Sequence, residues 1–429
     1  MAATVKAMKI QEVILKAVSR EILWIDAADI IGVSYRTMKR WKARYEASGY
    51  DGLFDRRKRR PSPKRVPLKE LETILTLYRE KYMGFNVSHF HEYLRNKHQI
   101  RRGYTFIKTA LQTAGLVPKN RVRSKHRKRR PRKPLIGMML HLDGSPHPWI
   151  PDMPDEHLDL LVLMDDASNQ IYDMELVDEE NTLSCMNVLR NCVKKHGIFC
   201  SLYTDRASHF FFTPKAGGKV TEENLTQIGR ALKELGIEPI PSYSPQARGR
   251  SERMNETLQG RIPNELRLHG VKTKEQANRF LKKVYLPKHN RRFKIKPEET
   301  GSAFVPVSEE LDLDRIFCIK EQRTVNADNT VSFYGQIFQI NRSALRISFA
   351  KCRVMVLKHI NGTFSIVYGP HLVGRYDASA KPLPGGYRIP TPAKIVAIKR
   401  NQAVKIRSFS SKRVLFPKNG FLRHETVIS

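Results

Sequence analysis

Apolar positions along the 429-residue chain change texture twice. Through roughly the first quarter they recur every three or four residues, the spacing of one helix face. Val13, Ile14, Ala17 and Val18 stripe a helix over Gln11–Arg20. Asp26 is placed to cap a second helix through Ile31, and Gly32 supplies a tight turn. Ser34 is placed to cap a third helix, in which Tyr35, Met38, Trp41 and Tyr45 point inward. Further helices are expected over Leu68–Tyr82, Ser88–Lys97 and Tyr104–Ala114. From Leu135 short apolar runs take over: Met138–Leu142, Leu158–Met164, Gln170–Leu176, Ile198–Thr204 and Ile237–Ile240 read as strands. Between and after them, helices are expected from Asn181 to Lys195, from Thr221 to Leu235, after Ser244 and from Lys274 to Tyr285. Beyond residue 312, Arg323–Val325, Thr330–Phe333, Gln336–Ile340, Lys351–Leu357 and Thr363–Val367 alternate between Asn-, Asp- and Gly-containing turns.

These textures predict a multidomain chain: all-α helix-turn-helix domains, then an α/β core, then a small β-barrel. A three-strand meander followed by helix, strand, helix, strand, helix suits an RNase H-like core. The expected divisions are 1–54 for a helix-turn-helix domain, 55–67 for a basic linker arm and 68–117 for a second helical domain. A basic linker over 118–134, the core over 135–305, the barrel over 306–370 and a basic tail over 371–429 complete the plan.

Charge sharpens this picture. The chain carries 77 Lys and Arg against 42 Asp and Glu, a formal net charge of +35, with 40% apolar residues to build cores. A folded chain so basic points to a polyanionic partner, above all nucleic acid. Arg36, Lys39, Arg40 and Arg44 are left outward on the third helix, as a major-groove reading helix requires. Arg56, Arg57, Arg59 and Arg60 belong to a run with two prolines that reads as an extended arm along phosphates. Residues 118–134 hold ten Lys or Arg and no acid, including Arg121, Arg123, Lys125, Arg127, Lys128, Arg129 and Arg130. Binding through such residues weakens steeply with salt, because each neutralised phosphate releases counterions. The five cysteines form no CxxC pair, which suits free thiols in a reducing compartment. No apolar run spans a membrane and no signal peptide is evident, so a cytoplasmic, nucleoid-associated bacterial protein is expected.

Three acids stand at strategic points. Asp143 follows the first strand, Asp205 follows the fourth, and Glu252 lies on the helix after the fifth, among Arg248, Arg250 and Arg253, which read as DNA-binding because they would hold a polyanion close to the acid. In an RNase H-like sheet the first and fourth strands are neighbours, so the two aspartates converge and the helix brings the glutamate. Three hard oxygen ligands suit Mg²⁺, with Mn²⁺ able to substitute, rather than zinc. Two such ions about 3.5–4 Å apart support in-line displacement at phosphorus. Glu256, one turn on, is the competing third ligand. Asp165 and Asp166 read as turn-shaping, and His141 as a structural residue or a ligand-orienting one.

The segments His141-Leu-Asp143-Gly-Ser-Pro-His147, Leu163-Met-Asp165-Asp166-Ala-Ser168, Tyr203-Thr-Asp205 and Ser244 through Gln259 resemble the integrase core of DDE insertion-sequence transposases. The similarity is to the ISNCY group, with kinship to the IS481 and retroviral-integrase type, and covers about residues 10 to 370. It implies that Asp143, Asp205 and Glu252 form the catalytic, metal-binding triad. It implies an enzyme, a Mg-dependent polynucleotidyl transferase. Such an enzyme binds terminal inverted repeats, cleaves the transposon ends and joins their 3′-OH groups to target DNA by strand transfer. It also implies double-stranded DNA, both transposon ends and target, as partner, and a homodimer or higher oligomer on it. The alternative is a transposon-derived, sequence-specific DNA-binding regulator without catalysis, which would be expected to have lost a triad acid; none is missing.

Overall fold

The structure, a computed structural model, describes residues 2–54, 66–119, 130–153, 155–214, 220, 224–243, 248–343 and 345–384. The chain divides into two compact units, Met1–Met83 with Val87–Arg121, and Gly84–Asn86 with Val122–Ser429.

In the first unit α1 (Ala2–Val18), α2 (Trp24–Ile31) and α3 (Tyr35–Ser48) close on Ala7, Ile10, Ile14, Ala17, Ala27, Ala28, Met38 and Leu53. Gly32 turns the chain between α2 and α3 at φ 73°, a left-handed conformation that costs glycine little. Ser34 caps α3 by accepting from the Thr37 amide. Several details differ from the sequence expectation: α1 begins at Ala2 instead of Gln11, and Val18, expected in its apolar stripe, is exposed. Asp26 sits in the first turn of α2, not ahead of it, and accepts from the Leu23 amide at 3.3 Å. Tyr35 is exposed, because at the head of α3 it lies outside the face that Met38 anchors. The second trio, α4 (Leu68–Glu80), α5 (Val87–Lys97) and α6 (Tyr104–Thr113), buries Ile74, Tyr78, Phe90, Leu94, Ile107 and Leu111.

The second unit is built on a five-stranded sheet of order β3-β2-β1-β4-β5: β1 Leu140–His147, β2 Leu158–Asp165, β3 Ile171–Val177, β4 Ser201–Thr204 and β5 Glu238–Pro241. β1 runs antiparallel to β2 and parallel to β4, with Leu140 opposite Leu202 and His141 opposite Tyr203. Because side chains alternate across a strand, Leu140 and Leu142 face one layer, formed by α7 (Thr182–His196) and α8 (Gln227–Glu234). His141, Asp143 and Ser145 face the other side, toward α9 (Gly249–Gln259). Behind α9, α10 (Ile262–Leu268), α11 (Lys274–Phe280) and α12 (Leu286–Phe293) complete that layer. Asn181 caps α7 as expected, whereas α8 starts later than expected, capped by Thr226. Pro263 falls in the first turn of α10, where its missing N–H goes unmissed.

The C-terminal strands are not a closed barrel. After α13 (Leu313–Ile316), β6 (Cys318–Thr324), β9 (Arg353–His359), β10 (Phe364–Tyr368) and β11 (His371–Tyr376) form an open antiparallel sheet of order β11-β10-β9-β6. β7 (Thr330–Phe333) and β8 (Gln336–Gln339) form a separate hairpin. Closure needs the outer strands to pair with each other, but β6 is bonded to β9 and β11 to β10. β11 also corrects the expected tail. Its Arg and Gly disguise a strand that buries Tyr376, and a side chain at Gly374 would strike that ring. Residues 385–429 of the expected tail lie outside the described residues.

Candidate active site

Extending the parallel register of β1 and β4 by two residues sets Asp143 beside Asp205. Asp143 is 8% exposed in mid-strand, and Asp205 follows the last residue of β4 with its side chain 37% exposed. Both carboxylates turn to one cation. The Arg248 guanidinium bonds Asp143 Oδ1 through one nitrogen and lies 3.5 Å from Asp205 Oδ2 through the other. Asn255 donates to Asp143 Oδ2 at 2.9 Å, and Gln259 to the Ser145 hydroxyl at 2.9 Å, so α9 is laid along β1 by side-chain hydrogen bonds. The Ala207 amide donates to Asp205 Oδ1 at 3.0 Å.

Burial pushes the Asp143 carboxyl up to about 6. Arg248 opposes that rise, while Asp205 and Glu180 add to it. Burial works against the charge on Arg248, yet Asp143 and Asp205 outweigh it and hold its pKa above the usual arginine value. Two carboxylates thus share a single guanidinium, with the charge of Glu180 also felt at Asp143.

Glu180, just ahead of α7, is the participant that sequence reasoning missed. Its carboxylate lies over Gly144, so close that a Cβ there would fall 2.0 Å from Oε2. His209 contacts Glu180 Oε1 at 3.1 Å and the Cys185 thiol approaches it at 3.8 Å. Among the described residues, Glu180, Cys185 and His209 are the group whose ligating atoms all lie within 4.8 Å of one another. The signal available in the sequence was the glycine immediately after Asp143, a residue type that admits close approach.

Glu252 is exposed in the first turn of α9, on the face that carries Asn255 and Gln259, and Glu256 is also exposed. A second acidic centre lies nearby. Asp166 is fully buried, with Oδ1 shared by Arg130 at 2.5 Å, His141 Nε2 at 2.8 Å and Arg250, and Oδ2 accepting from the Lys133 amide at 2.7 Å. Burial alone would raise this carboxyl, but these partners hold it well below the carboxylate range. Burial lowers the His141 pKa, against the opposing pull of Asp166; Nε2 lies in hydrogen-bond contact with Asp166 Oδ1 while Nδ1 has no described partner. Asp165 shapes the turn, accepting from the Gly137 amide at 2.9 Å and the Ser168 amide and hydroxyl at 2.8 Å.

Of the basic residues read as DNA-binding, Arg36, Lys39, Arg40 and Arg44 stand exposed on α3. Arg253 is exposed on α9, while Arg130, Arg248 and Arg250 are turned to Asp166 or to the Asp143–Asp205 pair. Arg56, Arg57, Arg59, Arg60, Arg121, Arg123, Lys125, Arg127, Lys128 and Arg129 lie outside the described residues.

Residues 11–62 match a helix-turn-helix domain family. Over 328 residues the chain is 31% identical to a putative transposase, y4bF, of Sinorhizobium fredii, covering 76% of this chain and 70% of that protein. The chain belongs to the transposase family. It is also 27% identical over 372 residues to the transposase for insertion sequence IS1202 of Streptococcus pneumoniae, covering 77% and 78% of the two chains. Among solved structures, the integrase catalytic core of HTLV-2 in complex with magnesium shares 13% identity at a TM-score of 0.25, covering 35% of this chain and 88% of that one. The simian T-cell lymphotropic virus intasome gives 13% and 0.29, covering 65% and 92%. Superpositions this loose add nothing to the sheet order, which by itself makes the transposase core integrase-like. No helix among the described residues is long and apolar enough to cross a membrane.

Proposed function

We propose that this transposase binds the terminal inverted repeats of its element, cleaves the ends by metal-dependent phosphodiester hydrolysis and joins the 3′-OH ends to target DNA. The observation that carries the reading is one guanidinium shared by two carboxylates from adjacent parallel strands. Oxygen donors that converge on a cation and exceed its charge fit Mg²⁺ or Mn²⁺. Asp143 and Asp205 would hold the ions, with Glu252 as the third ligand and one α9 turn ahead of Asn255. Bound there, two divalent ions supply activation of a water or 3′-hydroxyl and stabilisation of the leaving oxygen.

The chain's own groups do the rest. Asn255 orients Asp143, and the Ala207 amide turns Asp205 so that Oδ2 faces Arg248. α3 presents Arg36, Lys39, Arg40 and Arg44 to a major groove. Residues 1–54 and 68–117 would recognise the element end, with 135–305 performing the chemistry. A dimer or higher assembly would pair two ends. Labelled element ends incubated with and without Mg²⁺ test this directly. Nicking and joining that need the ion are expected; tight end binding with no nicking under either Mg²⁺ or Mn²⁺ would instead identify a DNA-binding regulator.

A further inference from the structure

Arg248 stands where a cation is required. Its two terminal nitrogens address Asp143 Oδ1 and Asp205 Oδ2, and Glu180 adds to the negative potential around it. The guanidinium is not sealed in, since its side chain remains 30% exposed. By contrast Arg250, two residues on, is 16% exposed and fixed on Asp166 and on the Arg130 carbonyl at 2.5 Å. Arg248 therefore pairs with two acids while part of its side chain stays accessible to solvent. Arginine is suited to such a double role, because its fork pairs with two carboxylate oxygens or two phosphate oxygens equally well.

We propose that Arg248 is a positioning residue that alternates between two partners. Without DNA it neutralises Asp143 and Asp205 and competes with divalent ions for them. When DNA arrives it passes to a backbone phosphate and leaves the carboxylates to the metal. This rests on the reading of Asp143 and Asp205 as metal ligands. Metal affinity and DNA affinity are then coupled, each raising the other by the same factor. An unloaded site also stays intact while no DNA is present, since the two carboxylates are not left facing each other unneutralised.

The test is Mn²⁺ binding to the full-length protein, followed by electron paramagnetic resonance at low salt, with and without a duplex carrying the element end. Arg248→Gln and Arg248→Ala, checked for folding by near-UV circular dichroism, are expected to bind Mn²⁺ about tenfold or more tightly than the parent in the absence of DNA, because a competing charge within a few ångströms is gone. Adding the duplex is expected to tighten Mn²⁺ binding to the parent and to change it little in either variant. Unchanged or weaker Mn²⁺ binding by both variants overturns the proposal, as does an equal effect of DNA on parent and variants. Asp143→Asn and Asp205→Asn must abolish the same Mn²⁺ signal; if they bind like the parent, the reading of the carboxylates as ligands fails instead.

Discussion

Two acidic centres lie side by side in this transposase, and they are neutralised very differently. Asp166 is fully buried and meets Arg130, Arg250, His141 and a backbone amide, partners enough to hold its proton affinity far down. Asp143 and Asp205 share one arginine, and Asp143 is pushed up to about 6. A carboxylate whose partners saturate it ties chain segments together, here the stretch from Arg130 to Lys133 and the start of α9. Carboxylates left short of positive charge retain affinity for another cation. On the proposed function, the contrast separates an acid that builds the core from acids that would work in it.

Exchanging charge for an amide should break the contrast most visibly at the working pair. Asp143→Asn or Asp205→Asn is expected to lower end cleavage by of order a thousandfold or more, as when a group acting on transition-state charge is removed. End binding, measured by gel shift, should be retained. At the saturated centre the same exchange should act on stability instead. Asp166→Asn leaves Arg130 and Arg250 facing no charge, and a loss of about 3–5 kcal/mol in denaturant unfolding is expected, with Mn²⁺ affinity unaltered in the protein that remains folded.

His289 offers a third case, a buried titratable ring with no described hydrogen-bond partner on either nitrogen. Burial brings its pKa down to about 4, with Arg261 adding to the shift. The folded state thus binds fewer protons than the unfolded state between about pH 4 and pH 6.5. Its contribution to stability is fully present above that window and is lost as pH falls through it. His289→Phe should remove up to about 3 kcal/mol of that acid sensitivity, read from unfolding curves at pH 4.5 and pH 7.5. The smallest effect is expected at Gly144→Ala. The added Cβ would meet the Glu180 carboxylate and displace it, shifting Mn²⁺ affinity by roughly a fewfold through an altered field around Asp143. No shift would show that Glu180 does not contribute to that field.

Much of this architecture was legible because its signals are local. Periodic apolar residues placed α1 to α6, and Asn181 and Ser34 announced their helices through side chains that bond amides two or three residues on. The neighbouring of β1 and β4 followed once the element order was matched to an RNase H-like core, and the structure pairs them in parallel. What was not legible depends on meetings far apart in the chain. Arg248 was read as a phosphate ligand because its sequence neighbours are basic, and nothing local says that it reaches Asp143, 105 positions earlier. Glu180 was passed over for the same reason. Glu252 shows the limit in reverse: its motif is conspicuous, yet the side chain is exposed while Asn255, one turn later, touches Asp143. β11 was hidden by composition, because a strand with Arg and Gly at its centre looks like tail until Tyr376 is seen buried.

The place of Arg248 in chain order has a consequence during synthesis. The ribosome releases β1 and β4, and with them both aspartates, before it releases α9. A nascent core can therefore bring its two acids together before their arginine exists, so that for an interval some other positive charge must balance them. Chains halted between Asp205 and Arg248 lack the one guanidinium that the finished fold supplies to both acids.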